Sequence, residues 1–258
     1  MSQTLLCVSF GTSVESARRS IRAVEQTLHE TAPELPFLRA YTSPTIRRIL
    51  QGRGETVCSL GEALDRLAGQ EVIVQPTHLL YGKEYDQIRQ EVGKHAKDGT
   101  SVRLGKPLLA GMEDLRGIAE AVDAAVPFHE GEALLLMGHG TVQFAGTVYP
   151  ALQTIFRLMG REDVFVGTVE GWPTLDEILP QLFRAGYTKA HLMTLMLVAG
   201  EHARNDMAGD GPYSWRSRLN AAGIQTRSTL CGLGELPQVQ ALYRRHLLEL
   251  LERENCGF

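Results

Sequence analysis

The chain has 258 residues, of which 43% are hydrophobic and 22% are charged, and its formal net charge is −4. This is the composition of a globular protein long enough for one large domain or two lobes of roughly 100–150 residues each. The slight acidic excess argues against a nucleic-acid partner, because no basic field would attract phosphates.

The sequence also argues against a membrane protein. No apolar stretch approaches the roughly 18–20 residues that span a bilayer. The N-terminus lacks the basic segment and the long apolar run of a signal peptide. We therefore predict a cytoplasmic protein that makes no membrane contact.

Short apolar runs alternate with amphipathic helical patterns along the chain. The runs are continuous and bounded by turn residues, as in a parallel sheet that helices cover on both faces. The predicted strands are Thr4–Ser9, Phe37–Tyr41, Val72–Pro76, Val102–Leu109, Ala133–Met137, Val164–Val169, Ala190–Val198 and Ile224–Leu230. Helical patterns lie between them, for example in Ser16–His29 and Tyr149–Met159. This alternation predicts an α/β fold built from doubly wound parallel sheets.

The chain contains an internal repeat. The segment Leu5–Thr12 reappears as Leu134–Thr141, so that position 10 aligns with position 139 at an offset of 129. The same offset aligns Tyr41–Ile46 with Glu170–Leu175. Two matches at one offset, with no gap between them, indicate a duplicated unit.

Further along the chain the offset of the repeat decreases. Leu79–Glu84 aligns with Leu197–His202 at an offset of 118, because the connection Gln51–Gln70 is longer than its counterpart. We therefore predict two similar lobes, an N-terminal one of residues 1–128 and a C-terminal one of residues 129–258 that carries a metal site.

Three residues of the second half occupy comparable points after strands. His139 ends the first strand, Glu170 ends the second and His202 lies just past the third. Ligands of open α/β sheets bind beyond the carboxyl ends of the strands, so we expect these side chains at one sheet edge. Each alone is more often a structural residue, but together two imidazoles and a carboxylate suit Co²⁺, Fe²⁺, Ni²⁺ or Zn²⁺.

The equivalent positions in the first half are Phe10, Tyr41 and Glu84. Phe10 and Tyr41 are predicted to pack against a substrate ring, since neither binds a divalent ion readily; the alternative is that Phe10 is a core residue. Thr12 and Ser13 follow Phe10 in a turn that is not a phosphate-binding loop. Their segment can present backbone amides to substrate carboxylates, or it can simply be a tight capped turn.

Three motifs resemble the anaerobic cobalt chelatases of cobalamin synthesis, which are class II chelatases like the protoporphyrin ferrochelatases. They are Ser9–Thr12, Met137–Thr141 and the long, specific stretch Met196–Asp210. The resemblance runs through nearly the whole chain. Val169–Pro173 also fits, although many relatives have Tyr where this chain has Trp172.

The resemblance implies two chelatase-like α/β lobes, with a tetrapyrrole cleft between them and no need for ATP or an organic cofactor. It implies that His139, Glu170 and His202 bind the metal and that Glu84 faces it across the cleft. His139, His202 and Glu84 are accordingly the expected catalytic residues, with one of them taking the pyrrole protons.

The implied activity is that of a lyase of porphyrin and cobalamin biosynthesis, which inserts Co²⁺ into sirohydrochlorin or precorrin-2. The alternatives are a sirohydrochlorin ferrochelatase for sirohaem and a non-catalytic metal or tetrapyrrole carrier. Co²⁺ is the expected substrate metal, with Fe²⁺ and Ni²⁺ left open, as is a homo-oligomer.

Overall fold

A computed structural model describes residues 3–97 and 100–252. It contains two four-stranded parallel sheets. The strands are β1 (Gln3–Ser9), β2 (Phe37–Tyr41), β3 (Glu71–Pro76), β4 (Ser101–Leu104), β5 (Glu132–Gly138), β6 (Val164–Thr168), β7 (Lys189–Thr194) and β8 (Gln225–Thr229). The orders β2-β1-β3-β4 and β6-β5-β7-β8 are the same pattern repeated. The predicted α/β fold of two similar sheets is confirmed.

The helices lie between the strands along the chain. They are α1 (Arg18–Thr31), α2 (Pro44–Gly52), α3 (Leu60–Arg66), α4 (Lys83–Lys97), α5 (Met112–Ala125), α6 (Val148–Leu158), α7 (Leu175–Arg184), α8 (Trp215–Ala221) and α9 (Pro237–Glu252). A π-helical turn, Ala203–Met207, follows β7. Within the described ranges, no helix combines the length and the apolar character needed to cross a membrane.

Buried aliphatic side chains of both sheets explain the continuous apolar runs. Leu5 and Leu6 point to opposite faces of β1, and both are fully buried. The same holds for Leu135 and Leu136 of β5. Because helices cover each sheet on both faces, neither set of alternate positions reaches solvent, and both sets are apolar.

The chain divides into two compact units. Unit 1 comprises Met1–Ala110 and Val239–Phe258, and unit 2 comprises Gly111–Gln238. Helix α5 thus belongs to unit 2 and α9 to unit 1. The boundary that we predict from the repeat, after residue 128, lies inside unit 2, because sequence patterns do not reveal on which sheet a connecting helix packs.

Side-chain hydrogen bonds hold α5 in unit 2 and α9 in unit 1. In unit 2, the Arg161 guanidinium binds Asp123 of α5 and donates to the carbonyl oxygen of Val126 at 3.2 Å. In unit 1, the Tyr243 hydroxyl of α9 donates to the Thr77 carbonyl at 2.7 Å. The sheet of each unit is therefore covered by a helix from the other half of the sequence.

The strand registers test the repeat residue by residue. β1 and β5 are related by the offset of 129, and β3 and β7 by the offset of 118, as predicted. The second strands differ, since Tyr41 pairs with Ser9 whereas Thr168 pairs with Gly138. Tyr41 is therefore equivalent to Thr168, and the prediction that it occupies the place of Glu170 is wrong.

Candidate metal and substrate site

The loops after β5 and β6 fit together at the carboxyl edge of the second sheet. His139 is the first residue after β5, and Glu170 lies two residues after the end of β6. The Glu170 amide donates to the His139 carbonyl oxygen at 2.7 Å. A Cβ atom at Gly140, whose φ is +87°, would lie 1.5 Å from the Glu170 carbonyl oxygen. Only glycine therefore permits this close approach of the two loops.

The third residue, His202, comes from the helical segment after β7. Glu201 and His202 begin this segment, which continues as the π-helical turn. Ala203 and Met207 are fully buried and attach the turn to the core of unit 2. His202 is only partly buried, so its ring lies at the surface on a backbone that the core holds in place.

The structure brings the two predicted histidine ligands together. The ring centroids of His139 and His202 are 4.8 Å apart, and the ring planes meet at 86°. His139 Nδ1 lies 3.1 Å from the Gly140 carbonyl oxygen, and His202 Nδ1 lies 2.7 Å from Asp206 Oδ2. A carbonyl and a carboxylate are acceptors, so these contacts favour the tautomer in which Nδ1 carries the proton and Nε2 keeps its lone pair. Two imidazole nitrogens are thus available to one metal ion.

Glu170 is next to this pair through its backbone, and its side chain is exposed. In residues 3–97 and 100–252, no three His, Cys, Asp or Glu side chains are grouped closely enough to hold a metal ion. The arrangement therefore supplies two nitrogen donors, with a carboxylate on the adjoining loop. Metal ligation by Glu170 stays a prediction.

The two aromatic residues predicted to contact the substrate differ in exposure. Phe10 follows β1 and is 49% exposed, so it is not the core residue of the alternative interpretation. Tyr41 is 5% exposed, and burial raises its pKa to about 12. A Cβ at Gly11 would lie 2.6 Å from the Tyr41 ring. The burial of Tyr41 argues against direct substrate contact and indicates that its ring supports the loop after β1.

The other site residues that we predict in unit 1 follow β1 and β3, at the carboxyl edge of the first sheet. Thr12 is buried, and its hydroxyl accepts a hydrogen bond from the Val14 amide at 3.2 Å, which forms a capped turn. The Ser13 carbonyl accepts a bond from Arg53 Nη1 at 2.6 Å. Both groups thus have structural partners, and substrate contact by Thr12 or Ser13 stays a prediction. Glu84 is half-buried and is the second residue of α4. His202 is likewise the second residue of the helical segment that begins at Glu201.

Exposed apolar residues, which the sequence patterns did not single out, follow each of the three predicted ligands along the chain. Val142 and Phe144 follow His139, Trp172 follows Glu170, and Tyr213 lies beyond the π-helical turn. The first two loops touch, since a Cβ at Gly171 would lie 2.6 Å from the Thr141 carbonyl oxygen. Large apolar residues within turn-rich segments were the signal that could have revealed this surface.

Comparison with known proteins agrees with these observations. The sequence model described as cobalt chelatase (CbiK) matches residues 3–252. The chain is 38% identical over 257 residues to the sirohydrochlorin cobaltochelatase of Salmonella typhimurium, with 97% of each chain covered. It is 34% identical over 250 residues to sirohydrochlorin cobaltochelatase CbiKC of Nitratidesulfovibrio vulgaris, with 94% of this chain and 88% of that one covered.

A solved structure also has this architecture. SirB from Bacillus subtilis with Fe³⁺ matches with a TM-score of 0.61 at 14% identity, covering 98% of this chain and 97% of that one. At this level of identity, the match shows a shared fold alone.

Proposed function

Because the chain belongs to the cobalt chelatase (CbiK) family, we infer that it is an enzyme that inserts Co²⁺ into sirohydrochlorin in cobalamin biosynthesis. The geometric observation that carries this proposal is the pair His139 and His202, whose rings lie 4.8 Å apart with both Nε2 lone pairs available. The relatives of 38% and 34% identity bear the name of this activity. A ferrochelatase and a carrier are therefore not favoured.

Metal insertion replaces two pyrrole protons by one Co²⁺ ion. Because two H⁺ leave as one Co²⁺ enters, the total charge of the macrocycle does not change. The protein must hold Co²⁺ firmly enough to remove some of its water and loosely enough to give it up. Two imidazoles leave most coordination positions open, and pyrrole nitrogens can then replace water stepwise. This is the role that we assign to His139 and His202.

Glu170 is proposed as the third ligand. Its amide is bonded to the His139 carbonyl oxygen, and its side chain is exposed, which supports a role beside the histidine pair. A carboxylate would offset part of the charge of Co²⁺ before the ring nitrogens do so. Neutral imidazole also accepts protons near neutral pH, and we therefore assign proton removal to one of the two histidines or to Glu84.

The macrocycle needs an apolar surface as well as a metal. Val142, Phe144, Trp172 and Tyr213 offer exposed apolar area in unit 2, and Phe10 offers it in unit 1. A flat conjugated ring stacks favourably on such side chains. These residues support a tetrapyrrole rather than a small polar molecule as the acceptor of the metal.

Turnover distinguishes this enzyme from a carrier. Purified protein is mixed with an excess of sirohydrochlorin and Co²⁺, and the absorbance change on metal insertion is followed beyond one equivalent. We expect steady turnover well above the uncatalysed rate, without ATP. A single burst equal to the protein concentration would instead identify a carrier, and faster insertion of Fe²⁺ or Ni²⁺ would reassign the metal.

A further inference from the structure

The hydrogen bond between His202 and Asp206 gives a role to a carboxylate that neither the repeat nor the ligand pattern singles out. Asp206 Oδ2 lies 2.7 Å from His202 Nδ1, and the two side chains are 46% and 41% exposed. We propose that Asp206 is a positioning residue that fixes the tautomer and ring plane of His202, so that Nε2 binds Co²⁺. This proposal rests on the proposed function.

The backbone between the two residues suits this contact. In an α-helix, residues i and i+4 are displaced by about 40° around the axis. The π-helical turn, which the Ala208 amide closes by donating to the Ala203 carbonyl at 3.1 Å, keeps residues four apart on one side of the segment. Met207, next to Asp206, is fully buried and anchors the backbone of this turn in the core of unit 2.

The backbone just after the π-helical turn is restricted at Gly209. A Cβ at Gly209 would lie 2.4 Å from the Asn205 carbonyl oxygen, so the chain can fold back here only with glycine. The Ser214 hydroxyl then donates to the Gly209 carbonyl at 2.7 Å. The carboxylate is therefore presented by a backbone that is held from both ends.

The tautomer matters because only an unprotonated nitrogen binds a metal. An unrestrained imidazole in water carries its proton mainly on Nε2, and in His202 that tautomer would block the nitrogen left for Co²⁺. An acceptor at Nδ1 reverses the preference, and a carboxylate does so more strongly than a neutral group. His139 has the Gly140 carbonyl for this purpose, and His202 has Asp206.

The most direct test needs no variant of Asp206. Long-range ¹H–¹⁵N correlation spectra of the metal-free full chain, at about pH 8.5 where unperturbed imidazole is neutral, distinguish protonated from unprotonated ring nitrogens. The signals of His202 are identified by their loss in His202→Gln. We expect a protonated Nδ1 and an unprotonated Nε2. The reverse pattern would overturn the proposal.

Metal affinity tests the consequence. We expect Asp206→Ala to weaken Co²⁺ binding, measured without tetrapyrrole, by about 10- to 100-fold. Asp206→Asn should lose less, because its amide oxygen can still accept from Nδ1. Glu201→Gln is the matched control: this exposed carboxylate in the same helical segment binds Asn205 and should leave Co²⁺ affinity unchanged. Wild-type Co²⁺ affinity in a folded Asp206→Ala protein would refute the proposal.

A histidine variant separates this inference from the proposed function. If His202→Ala keeps wild-type Co²⁺ affinity, the ligand assignment itself fails, and the role of Asp206 fails with it. If His202→Ala loses affinity but Asp206→Ala does not, the ligand stands and only the positioning role falls. We expect the double variant to bind Co²⁺ as weakly as His202→Ala alone, because Asp206 acts through that imidazole.

Discussion

At the residue scale, charge distinguishes the proposed metal ligand Glu170 from a purely structural residue. Glu170→Gln keeps the size of the side chain and the backbone bond to His139, but it removes the negative charge. We expect Co²⁺ affinity to fall by about tenfold, or about 1.4 kcal/mol, while affinity for a metal-free porphyrin stays within twofold. Calorimetry with Co²⁺ beside fluorescence titration with the porphyrin measures both. An equal loss of the two affinities would indicate a structural role.

The exposed aromatic residues make a second prediction at this scale. Phe10→Ala and Trp172→Ala should each weaken porphyrin binding by about fivefold, which corresponds to about 1 kcal/mol for a lost stacking contact. Neither should change Co²⁺ affinity. Phe183→Ala is the control, because Phe183 is also exposed but lies at the C-terminal end of α7, whereas Trp172 lies in the loop before the N-terminal end of this helix. Unchanged porphyrin affinity in both test variants would remove these side chains from the ring surface.

At the scale of elements, the fit of two loops depends on Gly140. Gly140→Ala would place a methyl group on the Glu170 carbonyl and would also force a side chain into a φ of +87°. We expect it to lower the free energy of unfolding by about 3 kcal/mol or more, and to move the loop of Glu170 away from His139. Gly160→Ala has a similar φ of +80° but meets no atom within 4 Å. It should cost only the about 1–2 kcal/mol of the backbone conformation.

Urea unfolding followed by circular dichroism measures both glycine variants. Equal losses of stability would mean that the loops after β5 and β6 move apart easily. In that case, the backbone contact between Gly140 and Glu170 would not be what places the two predicted ligands side by side.

The elements also show what sequence patterns can and cannot predict. The central strands β1 and β5 are buried on both faces and stand out as apolar runs, and the bounds of the edge strand β2 match the prediction. Loop geometry is not visible in this way: Pro44 is the first residue of α2, whereas Pro173 lies two positions before α7 begins. Aligning these prolines made Tyr41 the counterpart of Glu170, which the strand registers contradict. The apolar run that we predict as a strand from Ala190 to Val198 is a strand only as far as Thr194.

The histidine positions were predictable because they follow central strands of a repeat. His139 was placed by the offset of β5, and His202 by that of β7. Asp206 was not predicted as a partner of His202, although the two residues have the i,i+4 spacing of helical neighbours, because the sequence patterns did not reveal that a helical segment begins at Glu201. The division of α5 and α9 between the units escaped prediction for a similar reason, because it is decided by packing.

At the scale of the whole molecule, a buried histidine makes stability depend on pH. His191 is buried within β7, and its Nε2 is 2.8 Å from Thr229 Oγ1. Burial lowers its pKa to about 4. The unfolded chain, with a pKa of about 6.5, therefore binds a proton at a higher pH than the folded chain. The contribution of neutral His191 to the free energy of unfolding is therefore complete above about pH 6.5 and is lost as the pH falls toward 4.

We expect the wild type to lose about 2 kcal/mol of unfolding free energy from this residue between about pH 7.5 and pH 5. His191→Gln cannot titrate, so its own loss over the same interval should be smaller by that amount. Urea unfolding at the two pH values measures the difference. Parallel losses in the two proteins would show that His191 titrates alike in both states.

The central claim is that one pair of imidazoles at the edge of the second sheet delivers Co²⁺ to the tetrapyrrole. The initial rate of Co²⁺ insertion into sirohydrochlorin tests it most directly, measured for His139→Ala, His202→Ala and the exposed control His129→Ala. Circular dichroism first establishes that each variant is folded. We expect at least a hundredfold loss of rate in each of the first two, or about 2.7 kcal/mol, and a normal rate in the control. A near-normal rate in folded His139→Ala or His202→Ala would contradict the claim.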